Sequence, residues 1–172
     1  MPMKLREFSV PILPTGARDI RILHFSDLHL TPRRKREIAE IRSWHELNPD
    51  LVISTGDFLA HKDAVNTALY ALDPLLDLPG LFVFGSNDYY GPMLKNPFSY
   101  LTPDDGSRKL GKPLPSDELD IRLQGRGWIN LNHSKQIITV SGVAIEVRGT
   151  DDAHLQLDWL SVHRPHFDLQ EN

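Results

Sequence analysis

The stretch that decides the fold is ILHFSDLHL, residues 22–30. It begins like a buried strand and then places an acid, Asp27, and an imidazole, His29, two positions apart. Side chains two positions apart in an extended segment point to the same side. We therefore expect a first strand over Ile20–Phe25 whose end presents Asp27 and His29 together, so that both can hold one metal ion.

Two more apolar runs repeat this pattern along the chain. Leu51–Ile53 and Leu81–Phe84 are predicted strands. A helix that starts at Thr31-Pro32 and stops at Asn48 separates the first two strands, and a helix over 63–72 separates the second and third. Near-continuous apolar strands that alternate with helices are typical of a parallel sheet buried on both faces. The predicted class is α/β.

The second half of the chain has a different character. Residues 89–115 are rich in proline, glycine and charge, which predicts a long excursion loop. A short helix is predicted over 116–124. The runs 137–140 and 143–147, separated by Ser-Gly, predict a β-hairpin. The tail from 155 has only a weak helical pattern, and residues 1–172 together are predicted to form a single domain.

Composition narrows the function classes. The chain has 172 residues, no cysteine and a formal net charge of −4. Without cysteine, disulfides and thiolate metal sites are excluded. The mild acidity predicts no basic face and argues against general nucleic-acid binding. No apolar run reaches the roughly 18 residues of a membrane span, and the N-terminus lacks a signal-peptide core. We expect a cytoplasmic protein, and peripheral membrane association remains open.

Polar residues follow each of the three predicted strands. Asp27, Asp57 and Asn87 are spaced by thirty residues, about the length of one βαβ unit. Ligands of open α/β sheets bind at the carboxyl ends of the strands. Carboxylate, imidazole and amide groups suit Mn²⁺, Fe or Zn²⁺ better than Ca²⁺. Each motif alone is more typical of a turn or a solvated strand end, but three in order favour a metal site.

These motifs resemble those of the calcineurin-like metallophosphoesterases. The matching segments are Asp27-Leu28-His29, Gly56-Asp57 and Gly85-Ser86-Asn87-Asp88. Their surroundings are similar to a bacterial branch that contains membrane-associated and cytosolic phosphohydrolases. The resemblance implies an αββα sandwich of β-sheets flanked by helices.

The resemblance also implies a reaction and its ligands. It predicts a phosphohydrolase that cleaves phosphoester bonds of a phosphorylated substrate with a metal-activated hydroxide at a two-metal centre. Asp27 and His29 would bind the first ion, Asp57 would bridge both, and Asn87 would bind the second. The ions would be manganese, iron or zinc.

The sequence departs from the family pattern in two places. The third motif is G-S-N-D where the family has G-N-H-D or G-N-H-E. Either Ser86 or Asn87 therefore takes the ligand position. Serine is a poor metal ligand, which favours Asn87. The family's catalytic histidine is absent, which leaves Asp88 as the only acid candidate in that motif. The family's later lone histidine and G-H-x-H are also missing. We therefore expect the N-terminal portion of a family domain, incomplete at its C-terminus.

Two rival hypotheses come from other classes. The chain could be a truncated, non-catalytic remnant or an interaction domain with a partial metal site. A dinucleotide-binding domain shares the strand and helix order but is disfavoured, because no G-x-G-x-x-G follows the first strand. A sheet that ends early would leave an unpaired edge, which predicts self-association.

A few further residues are candidates for contacts around the metals or the substrate. These are His61, Asp151, Asp152 and His154, with a surface or solvated-loop position as the alternative for each. Tyr89 directly follows the third motif, where it would either wall the pocket or pack into the core.

Overall fold

A four-stranded parallel sheet forms the centre of the protein. The computed structural model describes residues 3–92, 110–155 and 157. The strands are β1 (Ile22–Phe25), β2 (Leu51–Ser54), β3 (Gly80–Phe82) and β4 (Ile129–Asn130), and they lie side by side in chain order. All neighbours are parallel, as the apolar runs predict. The carboxyl ends of all four strands therefore meet at one edge.

Helices cover one face of this sheet. They are α1 (Lys35–Ser43), α2 (Val65–Leu72), the single turn α3 (Ser86–Tyr89) and α4 (Ser116–Gln124). A 3-10 turn, Trp44–Leu47, extends α1 and ends at Asn48 in a left-handed conformation. The buried apolar side chains of α1, α2 and α4 form one core with the sheet.

The hairpin covers the opposite face. Strands β5 (Lys135–Val140) and β6 (Val143–Arg148) pair antiparallel, as the sequence predicts. Ser141 and Gly142 both have positive φ, which matches the twist of a two-residue hairpin turn. Alternate hairpin residues pack with the sheet in a second core. The described residues thus form helix, sheet and hairpin layers, and the α/β class of the calcineurin-like fold is confirmed.

The predicted start of α1 is wrong. The Arg34 N–H donates to the Thr31 carbonyl at 3.1 Å, and the Lys35 N–H donates to the Arg33 carbonyl at 2.9 Å. These bonds close a tight turn over the Thr-Pro pair, so the helix begins only at Lys35. The helix α2 likewise begins two residues later than predicted, at Val65.

The end of the third strand and the fourth strand also differ from prediction. The Phe84 N–H donates to the Asn132 side chain at 3.0 Å, outside the strand ladder, so β3 ends at Phe82. Strand β4 was not predicted, because two residues are too short for a periodic signal. Its pairing continues where the Leu131 N–H donates to the Phe82 carbonyl at 2.8 Å.

The excursion between α3 and α4 is described only at its two ends. The ends pair through an antiparallel bridge between Tyr90 and Pro113. The Gly91 N–H also donates to the Lys112 carbonyl at 2.8 Å. The middle of the loop, residues 93–109, lies outside the described residues, as does most of the tail. The single-domain assignment over 1–172, the loop assignment over 89–115 and the predicted self-association stay predictions.

Candidate metal centre

Three of the predicted ligands have left-handed backbones. The φ angles are 57° at Asp27, 43° at His29 and 59° at Asp57. The expectation that Asp27 and His29 share one face of an extended strand is therefore wrong, since β1 ends at Phe25. Asp and His are among the residues that adopt this conformation most readily. Two hydrogen bonds hold this conformation. The Asp27 N–H donates to the Gly56 carbonyl at 3.1 Å, and the His29 N–H donates to the Asp57 carbonyl at 2.9 Å.

The side chains of these three residues converge. The His29 Nε2 atom lies 3.5 Å from an Asp27 oxygen and 3.8 Å from an Asp57 oxygen. One ligand atom from each of the three lies within 4.8 Å of the others. Ligand atoms at about 2.1 Å from a shared ion lie about 3.0–4.2 Å apart. The donor set and its spacing therefore fit one divalent transition-metal ion.

Hydrogen bonds orient the two carboxylates. Ser26 Oγ donates to Asp27 Oδ2 at 2.6 Å, while Asp27 Oδ1 is the oxygen that faces His29. Asp57 Oδ1 accepts the backbone N–H of Asn87 at 3.0 Å, and Asp57 Oδ2 accepts its side-chain amide at 2.7 Å. The Asp57 carboxylate thus lies between His29 and Asn87. A half-turn of the Asn87 amide would bring its oxygen to the position that its nitrogen now occupies beside the Asp57 carboxylate.

Two glycines create the space for the Asp57 carboxylate. Gly56 has φ +98°, and a Cβ there would lie 2.4 Å from the Gly85 nitrogen. Gly85 is extended, with φ −109°, so its role differs from that of Gly56. A Cβ on Gly85 would lie 2.2 Å from Asp57 Oδ1. The glycine that begins the second motif and the glycine that begins the third are thus both required by close packing between the ends of β2 and β3.

Asp88 is buried behind the ligands. Its carboxylate accepts backbone N–H bonds from Asp57 at 2.7 Å, Leu59 at 3.1 Å and Gly85 at 3.1 Å. Burial raises the pKa of Asp88 to about 7, although the three N–H donors act to lower it. Both oxygens face the backbone and the side chain is inaccessible to solvent. This geometry fits a residue that positions the loops carrying Asp57 and Asn87, and it disfavours Asp88 as the proton donor.

The loop after β6 is tied to the third motif. Asp152 accepts the backbone N–H of Ser86 at 3.0 Å. Asp151 accepts the Tyr89 hydroxyl at 2.8 Å, and the Asn132 amide donates to that hydroxyl at 2.9 Å. Burial and the Asp151 carboxylate raise the pKa of Tyr89 well above its usual value. These contacts hold both ends of α3, a single turn too short to be stable alone.

The other candidates are placed differently. His61 is about half exposed, and its Nδ1 accepts the backbone N–H of Asp63 at 3.2 Å, which is a local contact before α2. The side chain of His154 lies outside the described part of the structure. Asn132 was missed as a contact of the third motif. Its position two residues after β4, at the same sheet edge as the other motifs, is the signal that could have found it.

The family can be decided from these motifs and a family-wide comparison. The model of the calcineurin-like phosphoesterase family matches residues 20–171. The chain belongs to the calcineurin-like phosphoesterase family. The match covers every residue of the Asp27, His29, Asp57 and Asn87 motifs.

Two further findings accompany the family match. No curated protein matches the chain. Among the described residues, no helix is long and apolar enough to cross a membrane.

Proposed function

We propose that this protein is a metal-dependent phosphohydrolase that cleaves phosphoester bonds at a two-metal centre. The observation that carries the proposal is the convergence of Asp27, His29 and Asp57 at the carboxyl edge of the parallel sheet. Membership of the calcineurin-like phosphoesterase family supports the reaction class. A cytoplasmic location and a phosphorylated substrate are part of the same proposal.

We assign the ligands by their contacts. Asp27 and His29 would hold the first ion with Asp57, whose carboxylate also faces Asn87. Asn87 rather than Ser86 would complete the second position. Its amide lies 2.7 Å from the shared carboxylate, whereas a neutral serine hydroxyl is a poor metal ligand.

The ions would neutralise charge on the phosphoryl group and make a water acidic enough to attack at neutral pH. The chain's own contribution is to fix the geometry. Asp57 is only 16% exposed and accepts two bonds from Asn87, so its carboxylate has little freedom. Such fixed ligands avoid reorganisation during the reaction.

The third motif offers no histidine to protonate the leaving group. Asn87 cannot donate an acidic proton, and Asp88 faces the backbone instead of the site edge. We therefore propose that solvent protonates the leaving group. This favours substrates with acidic leaving groups, such as aryl phosphates, over alkyl phosphates.

A non-catalytic site for one ion is the second candidate function. The observation that favours it is the number of ligands. In residues 3–92, 110–155 and 157, only one group of three His, Cys, Asp or Glu side chains has metal-site spacing. Among these residues, only Asp57 and Asn87 would serve as ligands of the second ion.

Hydrolysis of an aryl phosphate separates the two candidates. We expect Mn²⁺-dependent release of nitrophenol from bis-nitrophenyl phosphate and nitrophenyl phosphate. The rate should fall at least about 100-fold in Asp27→Asn, because the negative charge of one metal ligand is lost. Asp117→Asn, an exposed acid in the first turn of α4, is the matched control and should keep the wild-type rate. No Mn²⁺-dependent hydrolysis by the wild type would reject the hydrolase in favour of the non-catalytic site, and an equal rate in Asp27→Asn would reject Asp27 as a ligand of the catalytic centre.

A further inference from the structure

The backbone of the third motif is held by side chains instead of a regular hydrogen-bond ladder. The consecutive N–H groups of residues 84–87 each donate to a different side chain, at 3.0 or 3.1 Å. The acceptors, in chain order, are Asn132, Asp88, Asp152 and Asp57. Fully satisfied polar networks of this kind are rigid. The position of the Asn87 backbone therefore depends on side chains that come from several parts of the chain.

One short loop contacts the third motif on both sides of Asn87. This loop, residues 149–152, directly follows β6, which ends at Arg148. Asp152 Oδ2 accepts the N–H of Ser86, the residue before Asn87, at 3.0 Å. Asp151 accepts the hydroxyl of Tyr89, two residues after Asn87, at 2.8 Å. The loop thus holds the segment that presents the predicted ligand of the second ion.

The loop 149–152 is itself fixed against the carboxyl ends of β3 and β4. A Cβ on Gly149 would lie 2.4 Å from the Leu131 carbonyl oxygen and 2.9 Å from Val83 Cγ1. Leu131 directly follows β4, and Val83 directly follows β3. The Asp152 N–H also donates to Asp151 Oδ1 at 2.7 Å, which joins the two carboxylates to one rigid turn. The third motif is therefore tied to the same sheet edge that carries the other ligands.

The position of Asn87 matters because its side chain is neutral. A neutral amide oxygen attracts a cation less strongly than a carboxylate does. Metal–ligand distances tolerate only about 0.2 Å, so an amide ligand is effective when it is already in place. Partners that orient a metal ligand typically change metal affinity by about 10–100-fold.

We propose that Asp151 and Asp152 are positioning residues for the second metal ion, because they hold the backbone on both sides of Asn87. The proposal rests on the two-metal centre proposed above, and it makes neither carboxylate a metal ligand. The first ion depends far less on this loop, since Asp27 and His29 are held by bonds to the loop after β2.

Calorimetric titration of Mn²⁺ into the full chain measures both binding steps, and electron paramagnetic resonance shows whether two bound ions are coupled. Asp152→Ala removes the acceptor of the Ser86 N–H, so the second step should weaken about 10–100-fold and the first step far less. Asp152→Asn keeps one oxygen for that N–H and loses only the acceptor of the Leu155 N–H. It should therefore retain most of the second-step affinity.

Two further variants test positioning without removing a charge. Gly149→Ala displaces the loop 149–152 and should weaken the second step as Asp152→Ala does. Tyr89→Phe removes the bond to Asp151 and should weaken the same step, so it carries the test where Asp152→Ala does not fold.

Asp50→Ala is the matched control. The Asp50 carboxylate also accepts a backbone N–H, from Arg21 at 2.8 Å, but it lies before β2 at the amino edge of the sheet. The control should be less stable in urea unfolding and should keep both Mn²⁺ binding steps.

Three results would overturn the proposal. The first is an unchanged second step in folded Asp152→Ala and Tyr89→Phe. The second is equal weakening of both steps, which would indicate a general loss of structure. The third is an equal loss in Asp152→Asn and Asp152→Ala, which would assign the effect to the carboxylate charge instead of its hydrogen bond. A single bound Mn²⁺ in the wild type would contradict the two-metal centre itself, and is distinguishable from all three.

Discussion

Gly85→Ala is the sharpest test of how the metal centre is built. The backbone of Gly85 is extended, so alanine fits its conformation without strain. The new methyl carbon, however, would lie 2.2 Å from Asp57 Oδ1. The substitution should therefore move a predicted ligand while leaving the fold in place.

The required displacement follows from this distance. Real Cβ contacts are essentially never shorter than 3.0 Å, so the Asp57 oxygen must move by about 0.8 Å. Metal–ligand distances tolerate only about 0.2 Å. The movement also breaks the bond from the Asn87 N–H to Asp57 Oδ1, worth about 1 kcal/mol. We expect Mn²⁺ affinity to fall at least about 100-fold, with the free energy of unfolding lowered by only about 1–2 kcal/mol.

Mn²⁺ titration against a competing fluorescent chelator measures the affinity, and urea unfolding measures the stability. Gly91→Ala is the matched control, because its Cβ would meet only ordinary contacts of 3.5 Å or more. It should bind Mn²⁺ like wild type. Wild-type affinity in folded Gly85→Ala would refute the reasoning, since it would mean that Asp57 is not a ligand in the observed conformation.

Three further substitutions test other parts of the structure. Asp88→Ala leaves one buried and two partly buried N–H groups without an acceptor, so urea unfolding should show a loss of about 3 kcal/mol; a loss below about 1 kcal/mol would contradict this. The Arg21 N–H lowers the pKa of Asp50, so this carboxylate stabilises the fold above the unfolded pKa of about 4 and loses that effect as pH falls further. Asp50→Asn should therefore be less stable than wild type at pH 7, and the difference in unfolding free energy should shrink below pH 4. A difference that does not depend on pH would count against the hydrogen bond from the Arg21 N–H to Asp50. Tyr89→Phe removes the hydroxyl that binds Asp151 and should lower the melting temperature by about 2–4 °C, and an unchanged melting temperature would show that this bond does not stabilise the third motif.

Local sequence signals predicted much of the fold. The helix over 116–124 forms where the sequence predicts it, and the hairpin forms around the predicted turn residues Ser141 and Gly142. The start of α1 could not be predicted, because a turn closed by the Thr31 carbonyl competes with the Thr-Pro cap. Strand β4 exists only through its pairing with β3, which no pattern of two residues reveals.

For the candidate metal centre, the sequence predicted which residues come together but not their backbone geometry. Spacing at successive strand ends identified Asp27, His29, Asp57 and Asn87 as neighbours, since parallel strands share one edge. Their backbone conformation was not predictable, because it depends on hydrogen bonds between loops that follow different strands.

The burial of Asp88 became visible only in three dimensions. Asp88 lies beneath two loops that are far apart in sequence. Net charge alone predicted no basic face, although the sequence contains the consecutive basic residues Arg33, Arg34, Lys35 and Arg36, because acidic residues elsewhere in the chain outweigh them.

The central claim is that Asp57 holds metal with Asp27 and His29. Calorimetric titration of Mn²⁺ into wild type and Asp57→Asn tests it most directly. Asparagine tolerates the left-handed backbone at this position, so the variant should fold while losing the carboxylate charge. The account predicts stoichiometric Mn²⁺ binding by wild type and at least about 100-fold weaker binding by Asp57→Asn. Equal stoichiometry and affinity in the two proteins would contradict it.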